Sequence, residues 1–204
     1  MKFTKSLLAA MLLLATAAML PAAITPWQNY STGGTDVSTT LCYSVITANS
    51  YNGAAPVVTF LNATSDKAAS VVQFYSAGAP VTAISNSTVT IALLSATNAS
   101  TLFTTNGGVI IIKHNATDTY ERRVLTSSSA VETVLVVTSA PTTAIASGDE
   151  IWPMTTAGFI PCGAATTLSL VGNGIYSGQP GKPLLLEVDG TSSCQINAVS
   201  ATFR

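Results

Sequence analysis

An all-β fold is what the sequence predicts, and three observations predict it. Beyond the first two dozen residues, apolar positions do not recur at helical spacing. Short runs rich in Val, Ile, Thr, Phe and Tyr recur instead. Gly, Pro, Asn, Asp and Ser punctuate these runs about every 8 to 14 residues, near the spacing of sandwiches and barrels. The expected architecture is a single antiparallel β-sandwich, jelly-roll or immunoglobulin-like, of about 9–11 strands.

Residues 1–23 stand apart. Lys2 and Lys5 form a basic start, Leu7 to Leu20 an apolar stretch, and Ala22 and Ala23 offer a small-residue cleavage point. That is the pattern of a cleaved secretory signal peptide. A spanning helix needs about 20 apolar residues, and this run is shorter and ends at Pro21. The expectation is a secreted protein, extracellular or at the cell surface, without a transmembrane anchor after cleavage.

Residues 24–41 read as an extended N-terminal arm. They contain Pro26, the Gly33-Gly34 pair and many Ser and Thr. Trp27 and Tyr30 are its candidate partner contacts, because aromatic rings outside a core can anchor in a neighbour.

Residues 42–204 form the expected β-sandwich domain. Strands are expected at Cys42–Ala48, Pro56–Asn62, Ser70–Ser76, Thr88–Ser95, Val109–His114, Thr119–Leu125, Val131–Ser139 and Glu150–Met154. Three more follow at Thr166–Val171, Pro183–Val188 and Cys194–Phe203. Val57-Val58-Thr59-Phe60 is echoed by Val71-Val72-Gln73-Phe74, which suggests a hairpin whose Val and Phe residues share a core face. Asn115 to Asp118 fits a four-residue hairpin loop. Val134-Leu-Val-Val137 suggests a strand covered on both faces. Pro153 suggests an edge strand or a short one. Asp189-Gly190 suggests a tight turn pairing the last two strands.

Charge limits the functional classes. Only 8% of residues are charged, with a formal net charge of −1. Clustered Lys and Arg, which nucleic-acid binding requires, are missing from the sequence. Weak self-repulsion permits association. The three cysteines, Cys42, Cys162 and Cys194, allow one internal bridge, expected between Cys162 and Cys194 on either side of a turn-rich stretch.

The glycine-rich stretch Gly172 to Lys182 fails as a phosphate loop. Tyr176 stands where the first glycine belongs, and Pro183 replaces the Mg²⁺-binding hydroxyl. His114 is the only histidine. Lying at the edge of a hairpin loop near Asp118, it reads as a surface residue. No metal or cofactor is expected, and no catalytic set assembles from the sequence. Glu187 and Asp189 share a strand face and Asp149 adjoins Glu150, so an Asp/Glu hydrolase is the weakest reading. Glu121-Arg122-Arg123 is the densest charge cluster, with Arg122 a candidate ligand contact. Trp152 is a candidate for stacking on sugar, and Tyr51 and Tyr176 are further aromatics of that kind. Asn29, Asn62, Asn86, Asn98 and Asn115 begin N-x-[ST] sequons, open to glycosylation where the host performs it.

The leading expectation is a non-enzymatic structural subunit of an extracellular or surface assembly (filament, coat or virion-like shell). Its partner would be another copy of itself, engaged by N-terminal strand donation. A glycan- or surface-ligand-binding module is the alternative.

Overall fold

The computed structural model describes residues 28–30, 34–35, 41–47, 55–94, 103, 108–128, 134–163 and 167–203. Residues 1–23, expected from the sequence to be a signal peptide, and Trp27, Tyr51 and Asn98 lie outside the described residues.

The described chain is all-β, antiparallel, and contains no helix. Its strands are β1 (Gln28–Tyr30), β2 (Gly34–Thr35), β3 (Leu41–Ile46), β4 (Pro56–Ser65), β5 (Ser70–Ala77), β6 (Val81–Ser87) and β7 (Thr90–Leu93). They continue as β8 (Val109–His114), β9 (Thr119–Ser128), β10 (Val134–Val137), β11 (Glu150–Gly163), β12 (Thr167–Ser177), β13 (Leu184–Asp189) and β14 (Cys194–Phe203).

A four-stranded sheet has the order β1-β14-β4-β12, and a ten-stranded sheet the order β2-β3-β13-β5-β11-β6-β7-β10-β9-β8. The two sheets share a core. Val58, Leu61, Ile196 and Val199 from the smaller one pack with Ile46, Val72, Phe74, Leu186 and Val188 from the larger.

The larger sheet also closes on itself. β11 pairs with β6 along one side (Ile151 opposite Val81) and with β8 along the other (Ile151 opposite Ile112). β6, β7, β10, β9, β8 and β11 thereby form a closed ring, which removes the free edges there. A second core fills the ring: Ile91, Leu93, Ile110, Ile112, Leu125, Leu135 and Ile151, with Phe103 and Ile145 from connecting segments. Burying each such side chain contributes about 1.5–3 kcal/mol. β11 is the shared element, its first residues in the ring and its remainder beside β5.

Several sequence expectations are corrected. β4 and β5 do not form a hairpin; they lie in different sheets. Val58 and Phe60 also part company, because the register opposite β14 skips Thr59. That bulge sends Val58 and Leu61 to the core and leaves Phe60 half-buried. β13 and β14 likewise belong to different sheets, so the Asp189-Gly190 corner crosses between them. β10 has strands on both sides, but only Leu135 and Val137 are buried, so one face is covered.

Pro153 sits inside a 14-residue strand. Its carbonyl accepts the Gly78 N–H at 2.7 Å. The N and O of one strand residue point to the same side. The missing N–H therefore faces the Gly78–Pro80 connection, and the β8 ladder loses nothing. The disulfide joins Cys42 to Cys194, not Cys162 to Cys194, with Cα atoms 5.8 Å apart. Cys42 on β3 and Cys194 on β14 tie the two sheets together.

Candidate functional site

Strand alternation builds a buried ionic cluster at one end of the ring. Ile110 and Ile112 point into the ring, so His114, two residues on, points there too. Glu121 lies opposite Ile112 and Arg123 opposite Ile110 on β9. His114 is 3% exposed, which corrects the surface reading; its hairpin loop is exposed, but its side chain turns inward. Asp118, the apparent neighbour, lies outside, 3.9 Å from Lys113.

The cluster is densely bonded. His114 Nδ1 lies 2.9 Å from Asp149 Oδ2, and Nε2 lies 2.8 Å from Glu121 Oε1. Each ring nitrogen thus faces a carboxylate oxygen, and an ionised carboxylate only accepts. Arg123 donates to Glu121 Oε2 at 2.6 Å and to the Ala140 carbonyl at 3.2 Å. The Thr142 and Thr143 N–H groups each donate to Glu121 at 2.7 Å. Asp149 accepts from the N–H groups of Ala146 and Asn115 at 3.0 Å. Burial opposes ionisation of Glu121 and Asp149, yet these donors outweigh it and hold both carboxyls below their ordinary values. The arrangement fastens the 140–149 segment over the end of the ring. Both imidazole nitrogens are occupied by carboxylates, so the ring is not positioned to activate a nucleophile.

Arg122 faces the opposite side of β9. It is 7% exposed and ion-paired to Glu187 of β13, Nε to Oε1 2.6 Å. Glu187 also bonds to the Tyr75 hydroxyl; burial first, and then the Glu187 charge, push the Tyr75 pKa well up. Trp152 is 9% exposed, packs with Tyr75, Ile111 and Leu185, and donates its indole N–H to Glu150 at 3.1 Å. Arg122 and Trp152 thus serve internal packing and pairing rather than standing open to a ligand. Tyr30 belongs to β1, opposite Val199.

The carboxylates named from sequence are dispersed. Glu187 pairs with Arg122, whereas Asp189 on the same strand pairs with Lys67. Asp149 pairs with His114, whereas Glu150 meets Trp152. Asp66 was not anticipated. Its carboxylate accepts the N–H groups of Thr191, Ser192 and Ser193 at 2.6–3.1 Å. The Ser192 hydroxyl, also bonded to it, contributes most to holding its pKa far below the usual carboxylate range. Asp66 thereby ties the β4–β5 corner to the β13–β14 corner, both of them places where the chain crosses between sheets.

A groove of about 530 Å³ opens where β5, β11 and β12 converge. Ser76, Thr155, Tyr176, Ser177, Gln179 and Lys182 line it. The Tyr176 ring stacks on Phe74 with centroids 5.0 Å apart. Lys182 Nζ donates to Gln179 Oε1 at 2.9 Å. The Ser76 hydroxyl is buried and has no hydrogen-bond partner. Of the sequons, Asn115 is exposed, whereas Asn86 is half-buried and its Oδ1 accepts the Ile145 N–H at 2.8 Å. Asn62 is half-buried and Asn29 lies on β1.

Comparison with protein-family models, with curated proteins and with solved structures finds no match for this chain.

Proposed function

We propose that the protein is a secreted structural subunit of an extracellular assembly, joined to its neighbours by exchange of the N-terminal strands. One observation carries the reading. The segment expected to be an arm supplies an edge strand to each sheet: β1 runs along β14, and β2 along β3. These pairings are three and two residues long. An edge that accepts such a strand from its own chain presents the same unpaired N–H and C=O groups to the identical strand of a second copy. The shared core of the two sheets supports the β-sandwich reading, with the closed ring appended to it. The disulfide and the buried ionic cluster are consistent with a product made to persist outside the cell.

The test compares residues 24–204 with residues 42–204 by light scattering after size exclusion and by negative-stain imaging. The longer chain assembles, and the shorter one remains a folded monomer that a synthetic 24–41 peptide binds. Assembly that survives the truncation would overturn strand exchange. A longer chain that stays monomeric at every concentration would overturn the structural reading itself.

A further inference from the structure

We infer that the groove between β5, β11 and β12 is a binding site for a short acidic saccharide, one whose sugar ring carries a carboxylate. The inference is independent of self-assembly and goes beyond it. Hydroxyl and amide groups dominate the lining: Ser76, Thr155, Tyr176, Ser177 and Gln179. A buried hydroxyl without a partner is rare in folded proteins, and Ser76 Oγ is one. Ser76, near the end of β5, lies directly opposite Thr155 on β11. A hydroxyl both donates and accepts, so a ligand hydroxyl would satisfy Ser76 in either sense.

Tyr176 supplies the apolar element. Its ring is braced by Phe74 and is half-buried. Gly158 adjoins it; a side chain there would begin 3.5 Å from the ring, and glycine leaves that edge uncovered. A pyranose has one C–H-rich face and a rim of hydroxyls, which matches an aromatic ring beside hydroxyl donors. A peptide would ask for apolar side-chain pockets, which this lining does not provide.

Lys182 sets the charge. It is the only ionisable cation of the lining, and none of the lining residues is acidic. Its ammonium has three donors, of which one goes to Gln179. The remaining two suit a carboxylate, and a charge-assisted bond is roughly twice as strong as a neutral one.

The test uses the mature chain, with digalacturonate, its neutral digalactose counterpart and a short acidic peptide as probes, read by calorimetry and by amide chemical shifts. Digalacturonate binds saturably and shifts amides of Ser76, Thr155 and Tyr176, and it binds more tightly than the neutral sugar. Lys182→Gln weakens it about tenfold and removes that preference. Ser76→Ala weakens it several-fold while leaving thermal stability unchanged or raised, as expected for an unbonded buried hydroxyl removed. Failure to saturate, equal affinity for the neutral sugar, an unaffected Lys182→Gln variant, or binding of the peptide alone would each overturn the inference.

Discussion

Arg122 and Glu187 meet across the molecule, Nε to Oε1 2.6 Å and Nη2 to Oε2 3.3 Å, although three strands separate β9 from β13 in the sheet. The sheet curls so that the outer face of the ring packs on the outer face of its own continuation. Tyr75, Trp152, Met154, Ile111 and Leu185 fill the seam. The ion pair lies among these apolar groups, and a buried charge that loses its partner costs about 3–5 kcal/mol. Glu187→Leu should therefore destabilise the protein by about that much in urea titrations. The double variant Arg122→Met/Glu187→Leu should return to within about 1 kcal/mol of the parent, because an apolar pair can replace a buried ion pair. A double variant as weak as the single one would mean that Glu187 acts chiefly through Tyr75.

The cluster capping the ring makes stability depend on acid. Glu121 and Asp149 have folded pKa values below their ordinary 4.5 and 3.8. A depressed carboxyl adds stability that is complete above its unfolded pKa and lost as pH falls through the folded one. The contribution of these two carboxyls should be complete above about pH 5 and decline below about 4.5. Glu121→Gln should lower stability at pH 7, since His114, Arg123 and two backbone N–H groups lose an anion. It should also flatten the acid limb. Chemical denaturation at a series of pH values reads both effects, and an acid limb of unchanged slope would place the acid response elsewhere.

The strand pattern was legible wherever alternation was strong. Val109–His114, Thr119–Leu125 and Pro183–Val188 lie almost where the apolar runs place them. β6 was missed because only Ala83 of its seven residues is buried, which leaves no amphipathic trace. The extension of β11 beyond Met154 was missed because residues 155–161, with Gly158 and Pro161 among them, are mostly exposed. Pairing was not legible. The Val/Phe echo implied a hairpin, but nothing in Asn62 to Ser70 announces that Asp66 binds a corner more than a hundred residues away. His114 was recoverable: its two-residue spacing from Ile112 and Ile110 already placed it on their inward face. The groove was not, since Ser76, Thr155 and Lys182 come together only through sheet order.

The Cys42–Cys194 bridge spans 152 positions. In the chain-entropy account, closing so long a loop stabilises by about 5 kcal/mol, and measured values commonly fall short of that. Cys42→Ser/Cys194→Ser should cost about 3–5 kcal/mol and raise proteolytic sensitivity near both ends of the chain. Cys162→Ser should leave the non-reducing peptide map unchanged, with Cys42 and Cys194 still linked. A map linking Cys162 would contradict the observed pairing.

Two glycines should respond differently to alanine. Gly148 has φ 101°, and a Cβ there meets nothing within 4 Å. Its substitution brings only backbone strain, about 1–2 kcal/mol. Gly190 is confined by contact. An added Cβ would stand 2.2 Å from the Ser193 carbonyl oxygen and 2.9 Å from Asp66 Oδ1. The backbone of the crossing must then move, and with it the N–H groups that Asp66 gathers. Gly190→Ala should cost about 3 kcal/mol, clearly more than Gly148→Ala, and should speed amide exchange at Thr191 to Ser193. Asp66→Ala should reproduce that local exchange pattern without any added bulk. If Gly190→Ala destabilises no more than Gly148→Ala and leaves those amides protected, the corner is held by its flanking strands and not by Asp66.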